Sequence, residues 1–407
     1  IASNWTTAGV NLFGAKSLEE YLKLIQEYAE AHPDDKVIKG IGWNVENLGG
    51  VYPTAKDLDK AVPDRPAIIL DYTIHDGWLN TAAFKAGNVT KDTPDVLPGT
   101  TYWKRDKEGN PTGVAIELQW MGTYIAAGAW EPEKMMRESA EVLFSLAARN
   151  GTTAILNPGV VTPNIKDTHG GMETDFRAAM TMLSALDKEG KLLLRVQALP
   201  MFKSATADPA KFVAFASEMK EKYASDRLSV RSIKIHPEGN AVAKAAPFLE
   251  PYEGTDHKGS FNVAPEVIKE LTLLANKAGL DAMIHTDGDA SNRAVIDAFE
   301  ASLEAGYKDN RNAIHHGQWI HPDDQKRIIE MKIPINTTPS FFTDWSGQDA
   351  QYTALLGKER VRTELGLYPD FARAGNRVSI AADVPSTMPD MQAPLFCVEG
   401  AVTMMEP

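Results

Sequence analysis

The sequence predicts an α/β protein organised as a (β/α)8 TIM-like barrel with insertions at its C-terminal face. Two observations carry the prediction. Through the second half of the chain, short β-branched runs alternate with amphipathic helical runs, the signature of βα units and a parallel sheet. Eight or nine such strands can be counted, which suits a closed barrel better than an open sheet, although periodicity by itself leaves a doubly wound fold open. The 407 residues exceed the roughly 250 of a plain barrel, so insertions are expected.

The elements follow in order. Residues 17–31 (SLEEYLKLIQEYAEA) place Leu18, Tyr21, Leu22, Ile25 and Tyr28 at helical spacing, with Ser17 as N-cap and Glu20 three residues on. Residues 37–43 and 67–74 read as strands. Residues 133–150 read as a helix stopped by Gly151, and 152–156 as a short strand. Helix–strand pairs then recur at 176–188 and 192–199, 209–223 and 228–235, 265–278 and 280–285, 290–305 and 313–316, and 322–331 and 333–338, before a last strand at 378–382. Two stretches break the rhythm. Residues 85–120 carry Pro94, Pro98, Gly99, Gly109 and Pro111 around short β-like pieces and read as a β-hairpin insertion. Residues 237–263 read as a long loop between a strand and its helix, at the face where barrel active sites lie.

Composition narrows the function classes. There are 42 Lys+Arg against 55 Asp+Glu, a formal net charge of -13, which argues against nucleic acid or an anionic membrane surface as partner. The single cysteine, Cys397, excludes an intrachain disulfide but fixes no compartment. No apolar run approaches the ~20 residues of a membrane helix. The chain opens on Ile1 without a signal-like region and stops after Met404-Met405-Glu406-Pro407. Both ends look cut, so the chain is expected to be part of a longer protein, with its compartment (cytoplasmic or exported) open and a homodimer left open.

Nine histidines are present, and their places are informative. His285 closes LDAMIH, His316 closes AIHH, Lys234 and His236 close SVRSIKIH, and Asp383 closes RVSIAAD. In a parallel barrel such ends converge on one mouth. Imidazole and carboxylate there suit a hydrolytic zinc or similar ion whose bound water is acidified. Lys234, ending a buried strand, must be paired, neutral or modified. It either bridges to Glu238 or Asp383, becomes a metal-bridging carbamate, or anchors a substrate carboxylate. His315 should face away from His316 and be a bystander. His32 is expected at a solvated helix end, His321 as a helix cap, and His169 in a glycine-rich loop without a role. Trp43, Trp78, Trp103, Trp120, Trp345, Phe341 and Phe342 are candidates for an apolar pocket but equally for core.

These residues lie in stretches that resemble the amidohydrolase superfamily, and most closely its family-3 branch containing N-substituted formamide deformylases. The stretches are GIGWNVE (41–47), LDKAVPDRPAIIL (58–70), IHDGWLN (74–80), GNPTGVAIE (109–117), IKIHPEGN (233–240), IHTDGDAS (284–291), RNAIHHGQ (311–318) and SIAADVPS (379–386), in family order across nearly the whole chain. The resemblance implies one or two divalent metal ions, Zn2+ foremost, at the barrel mouth. It implies His285 and His316 as ligands, Asp383 as ligand and general base, and Lys234 as a ligand that is carboxylated in some members. It places His75, Trp78 and Asn80 near the pocket, for substrate contact or for shaping its wall, and His236 is expected to join them. The implied activity is hydrolysis of a non-peptide C–N bond in a small molecule, with an ester, lactone or cyclic amide as the alternative. Departures accompany the resemblance. No His-x-His occurs in the chain, although the family's first strand ends in one, and the family's small β-sandwich is largely absent. His315 stands where an Ile-Glu pair is usual, and Ala381-Ala382 replaces a Gly-Ser-like pair. A metal-free, catalytically silent binding relative is therefore the third reading.

Overall fold

A computed structural model describes residues 4–158, 169–341, 348–383 and 393–403. Trp345 and Phe342 and the side chain of His169 lie outside the described residues. The chain divides into two compact units, one holding the described residues 4–143 and the other the rest.

The first unit is built on one six-stranded sheet. Its strands are β1 (Val10–Asn11), β2 (Ile38–Trp43), β3 (Ala67–Asp71), β4 (Gly77–Leu79), β5 (Trp103–Arg105) and β6 (Pro111–Ala115), in the order β1-β2-β3-β4-β6-β5. β1, β2 and β3 run parallel. β4, β6 and β5 continue the sheet antiparallel. The change of sense follows from connection length. The helix Leu18–Ala31, with Tyr21, Ile25 and Ala29 buried, fills the crossover that parallel strands require. Only a tight turn separates β3 from β4, and β5 joins β6 by a turn in which Asp106 accepts amides of Glu108 and Asn110. The hairpin read into 85–120 is therefore β5–β6, seated on a larger sheet. Ser17 accepts the amide of Glu20 at 3.2 Å as the cap of the first helix. Thr54 and Asp57 form a complete capping box for the helix Ala55–Ala61.

The second unit carries β7 (Ala154–Asn157), β8 (Arg195–Ala198), β9 (Met201–Phe202), β10 (Leu228–Ser229), β11 (Ser232–Ile235), β12 (Asp281–Thr286), β13 (Ala313–His316), β14 (Ile335–Thr337) and β15 (Val378–Ile380). All of their pairings are parallel. β8 pairs with β7 on one side and β10 on the other in one sheet, while β9 and β11 open the six-stranded sheet that ends at β15. Residues 195–202 and 228–235 each pass through both sheets, so the strands lie side by side in sequence order. Between them run the helices Pro209–Lys222, Pro265–Lys277, Asp289–Glu304 and Pro322–Met331. Each shows the apolar stripe its sequence predicts. Ile268, Leu271 and Ala275 of the second of these are buried, for example. Parallel strands with helical crossovers make the protein α/β, as the alternation predicts. The stretch between β14 and β15, which the sequence left without helices, contains Gln348–Leu356, Lys358–Glu364 and Tyr368–Arg373. No described helix is long and apolar enough to cross a membrane.

The segment 237–263 is a packed wall rather than a hinged flap. Phe248 and Tyr252 are buried against Trp319, Tyr352 and Leu356. Arg360 donates to the carbonyls of Glu250 at 3.2 Å and Pro251 at 2.6 Å, and its guanidinium lies over the Phe248 ring.

Candidate functional site

In the second unit the strand register assembles the histidines. Ile235, Ile284, Ile314 and Ile335 pair level with one another and are buried. The next level along the strands holds His285, His315, Asn336 and Ser379, and His236 follows Ile235 into it. Register partners in a parallel sheet project from the same face, so these side chains share the face opposite the isoleucines. Lys234, two residues before His236, shares it too.

The contacts agree with the register. The rings of His236 and His285 stack with centroids 4.0 Å apart and planes 15° from parallel. The Lys234 ammonium donates to His315 Nδ1 at 3.0 Å. His315 is thus corrected from bystander to partner of Lys234. The alternation argument misplaced it because His316, not His315, departs from strand geometry. His316 has φ +70°, in the left-handed region, and this turns its ring back to 4.7 Å from His285. Phe341 stacks on the other side of His316 at 5.7 Å. The last strand stops at Ile380 rather than running to 382, so Asp383 does not close it but lies three residues beyond, also at positive φ (+52°). Strained residues of this kind persist only where surrounding structure holds them, and they gather at functional sites.

Of these side chains Lys234 and His315 are buried, and burial dominates their electrostatics. Burial pushes the Lys234 amine down to about 8, opposed by the Asp383 carboxylate. Burial, with the nearby Lys234 and His316, holds His315 well below the usual imidazole range. Of the pairings open to Lys234, Glu238 is engaged elsewhere, accepting the backbone amides of Asp287 at 2.7 Å and Gly288 at 3.1 Å.

The donor set fits a borderline divalent cation. The imidazoles of His285 and His316 and the Asp383 carboxylate are the ligand types zinc takes, whereas the Lys234 ammonium is a donor and has no lone pair to offer. Among the described residues, however, no three His, Cys, Asp or Glu side chains are drawn together tightly enough to hold an ion by themselves. His285 and His316 are a juxtaposed pair, not a closed triad.

The other sequence candidates lie in the first unit. β3 ends in a turn organised by Asp71, whose Oδ1 accepts the amides of His75 and Asp76, each at 2.9 Å. His75 Nδ1 donates to Glu117 Oε2 at 2.8 Å. The carbonyl of His75 accepts the Trp120 indole at 2.9 Å. Glu117 is fully buried, and its own amide donates to Asp76 Oδ1 at 2.9 Å. Ile74 and Glu117 adopt φ +62° and +55°. Burial raises Asp76 well above the ordinary carboxylate range, with Asp71 and Glu117 adding to it. Trp78 and Asn80 are fully buried. The Trp78 indole donates to Thr54 O, while Asn80 accepts from Ala67 and Ala83 and donates to Val62 O and Arg65 O. Their polar atoms are spent on backbone groups. Trp43, Trp103 and Trp120 are core. His321 accepts the Asp323 amide as an N-cap, and His32 is exposed and stacked on Tyr28.

Comparison with known proteins bears on this geometry. The profile of the amidohydrolase family matches residues 3–401. An exoenzymes regulatory protein of Pectobacterium carotovorum subsp. carotovorum is 27% identical over 358 residues, covering 87% of this chain and 71% of that protein. An N-substituted formamide deformylase of Arthrobacter pascens is 22% identical over 387 residues, covering 91% and 65%. The crystal structure of an uncharacterized metal-dependent hydrolase from Pyrococcus horikoshii superposes with a TM-score of 0.67 at 19% identity, over 99% of this chain and 74% of that one.

Proposed function

The chain belongs to the amidohydrolase family, and from that premise we propose that it is a metal-dependent hydrolase of a non-peptide C–N bond in a small N-acyl or N-formyl substrate. The observation that carries the reading is the placement of Lys234, His285 and His316 on the adjacent parallel strands β11, β12 and β13 of an α/β unit, with Asp383 three residues past the end of β15. The proposal includes closure of those strands into a (β/α)8 barrel with the set at its mouth. His285 and His316 hold the ion, Zn2+ being the expected one, and Lys234 and Asp383 complete its surroundings. The ion supplies Lewis acidity and a water of lowered pKa when bound. Asp383 takes the proton from the attacking water and delivers it to the departing nitrogen. His236, stacked on His285, faces the substrate side of the pocket. The similarity to a formamide deformylase supports the bond type. Lactone or ester opening on the same residues is the nearest alternative within enzymes.

A second reading has its own support. The described residues contain no closed three-ligand group, and one relative bears the name of a regulatory protein. A metal-free binding protein on the same scaffold accounts for both. One experiment decides between the readings. Zinc content of the purified protein is measured beside hydrolysis of a panel of N-formyl amines, N-acyl amino acids and lactones. Stoichiometric zinc with turnover of N-acyl substrates, abolished in Asp383→Asn while zinc stays bound, supports the hydrolase. Full activity of Asp383→Asn sinks the assignment of the base, and absence of zinc and turnover together sinks the hydrolase.

A further inference from the structure

We propose that Glu238 is a positioning residue, whose carboxylate grips the backbone just beyond His285 and so fixes how that imidazole meets a metal ion. The proposal rests on the metal-dependent reading above.

Glu238 is fully buried, and both of its oxygens are used: Oε1 accepts Asp287 N at 2.7 Å and Oε2 accepts Gly288 N at 3.1 Å. These amides lead into the helix Asp289–Glu304, whose N-cap position is Gly288 and has no side chain to cap with. Glu238 therefore supplies from a neighbouring strand end the acceptors that the helix lacks locally. The grip is reciprocal. Asp287 Oδ2 accepts Ala241 N at 2.6 Å, tying the segment after Glu238 back to the residue after Thr286. A third strand end joins through Asp287 O, which accepts Trp319 N at 3.0 Å, and through Asn292 Nδ2, which donates to Trp319 O at 2.8 Å. Thr286 Oγ1 donates to Asn292 Oδ1 at 2.8 Å. The strand ends that carry His236, His285 and His316 are thus one hydrogen-bonded mesh. The junction has no slack, since a Cβ at Gly288 would stand 2.1 Å from Pro247 O. The 4.0 Å stack of His236 on His285 is set by where this mesh holds the two strand ends.

Two N–H groups converge on two oxygens, which favours the carboxylate and opposes the upward push that burial and the Asp287 carboxylate give this group. Glutamine, of equal size, turns one oxygen into an NH2 that faces an N–H donor. Aspartate keeps both acceptors on a shorter stem. The test measures Zn2+ affinity by chelator competition on the apoprotein, and the visible spectrum of the Co2+-substituted protein, for wild type, Glu238→Gln and Glu238→Asp. Glu238→Gln is expected to bind Zn2+ about 10- to 100-fold more weakly, with shifted Co2+ bands, and Glu238→Asp to recover part of both. A folded Glu238→Gln protein with wild-type Zn2+ affinity and an unchanged Co2+ spectrum overturns the proposal. A wild type that binds no Zn2+ sinks the metal reading itself, and this proposal with it. Should Glu238→Gln not fold, amide exchange in the wild type gives the answer. Asp287 and Gly288 are expected among the slowest amides, and exchange at the rate of exposed loops overturns the grip.

Discussion

His75 and His285 both stand where a buried strand gives way to a turn, yet their neighbours differ in kind. His75 is surrounded by carboxyls: Glu117 accepts a hydrogen bond from its Nδ1, and Asp71 and Asp76 crowd the same turn. His285 is surrounded by imidazoles, with His236 stacked on one side and His316 edge-on. In the first region the acceptors are spent on backbone amides, and the imidazole is drawn into holding a turn. In the second the neighbouring imidazoles bring ring-nitrogen lone pairs, which a cation can use. Backbone strain does not distinguish the two, because Ile74 and Glu117 are as left-handed as His316 and Asp383. Strain marks places that the structure over-determines, and only the donor chemistry around them says what they do.

The sharpest way to break this comparison is to remove each imidazole in turn. His285→Ala is expected to lower zinc affinity at least 100-fold, whereas His75→Ala leaves bound zinc at the wild-type level. Elemental analysis of the purified variants after dialysis against a chelator checks this. Equal loss of metal from both would show that His75 also serves the ion and would erase the distinction.

The next effect is on stability, in the first region. Asn80 makes four buried hydrogen bonds to backbone and caps the helix Thr81–Ala86. Asn80→Ala leaves those groups without partners and removes the cap. The expected cost is about 3 kcal/mol, read from denaturant melts, with zinc content unchanged. A cost under about 0.5 kcal/mol with altered substrate affinity would instead restore Asn80 as a substrate contact.

Much of this was legible in the sequence because it depends on periodicity. The α/β class, the parallel strands from 154 to 380 and the places of Lys234, His285 and His316 at the ends of β11, β12 and β13 follow from alternation of apolar runs, whereas the last strand stops three residues short of Asp383. What escaped depended on single torsions or on pairing between distant segments. The alternation rule dismissed His315 because it assumes an extended residue at position 316, and φ +70° there inverts the argument. Asn80 reads as a pocket residue in the IHDGWLN run, but three of its four backbone partners, Val62, Arg65 and Ala67, come from an earlier stretch of chain. The short helices between 348 and 373 lack a sustained apolar stripe, and the hydrophobic side chains that place them, such as Tyr352 and Leu356, pack on the segment 237–263. Glu238 reads as a partner for Lys234, because its actual hold on backbone amides some fifty residues away follows no local pattern.

The smallest expected effect sharpens what burial does to carboxyls outside both histidine regions. Glu364 is buried, its Oε2 has no hydrogen-bond partner among the described residues, and the carboxyl is pushed up to about 7. Burial is the main cause, the Asp289 carboxylate adds to it, and Arg360 opposes it. A carboxyl whose folded pKa lies above its unfolded value of about 4.5 binds its proton more tightly when folded. Its contribution is fully present below pH 4.5 and is lost as pH rises through 7. The wild type should therefore lose about 2–3 kcal/mol of unfolding free energy between pH 5 and pH 8 relative to Glu364→Gln, whose amide does not titrate. Asp71 and Asp76 are also raised by burial, so the variant keeps a residual slope of the same sign. Parallel stability curves for the two proteins across that range would mean that Glu364 reaches solvent or a cation when ionised.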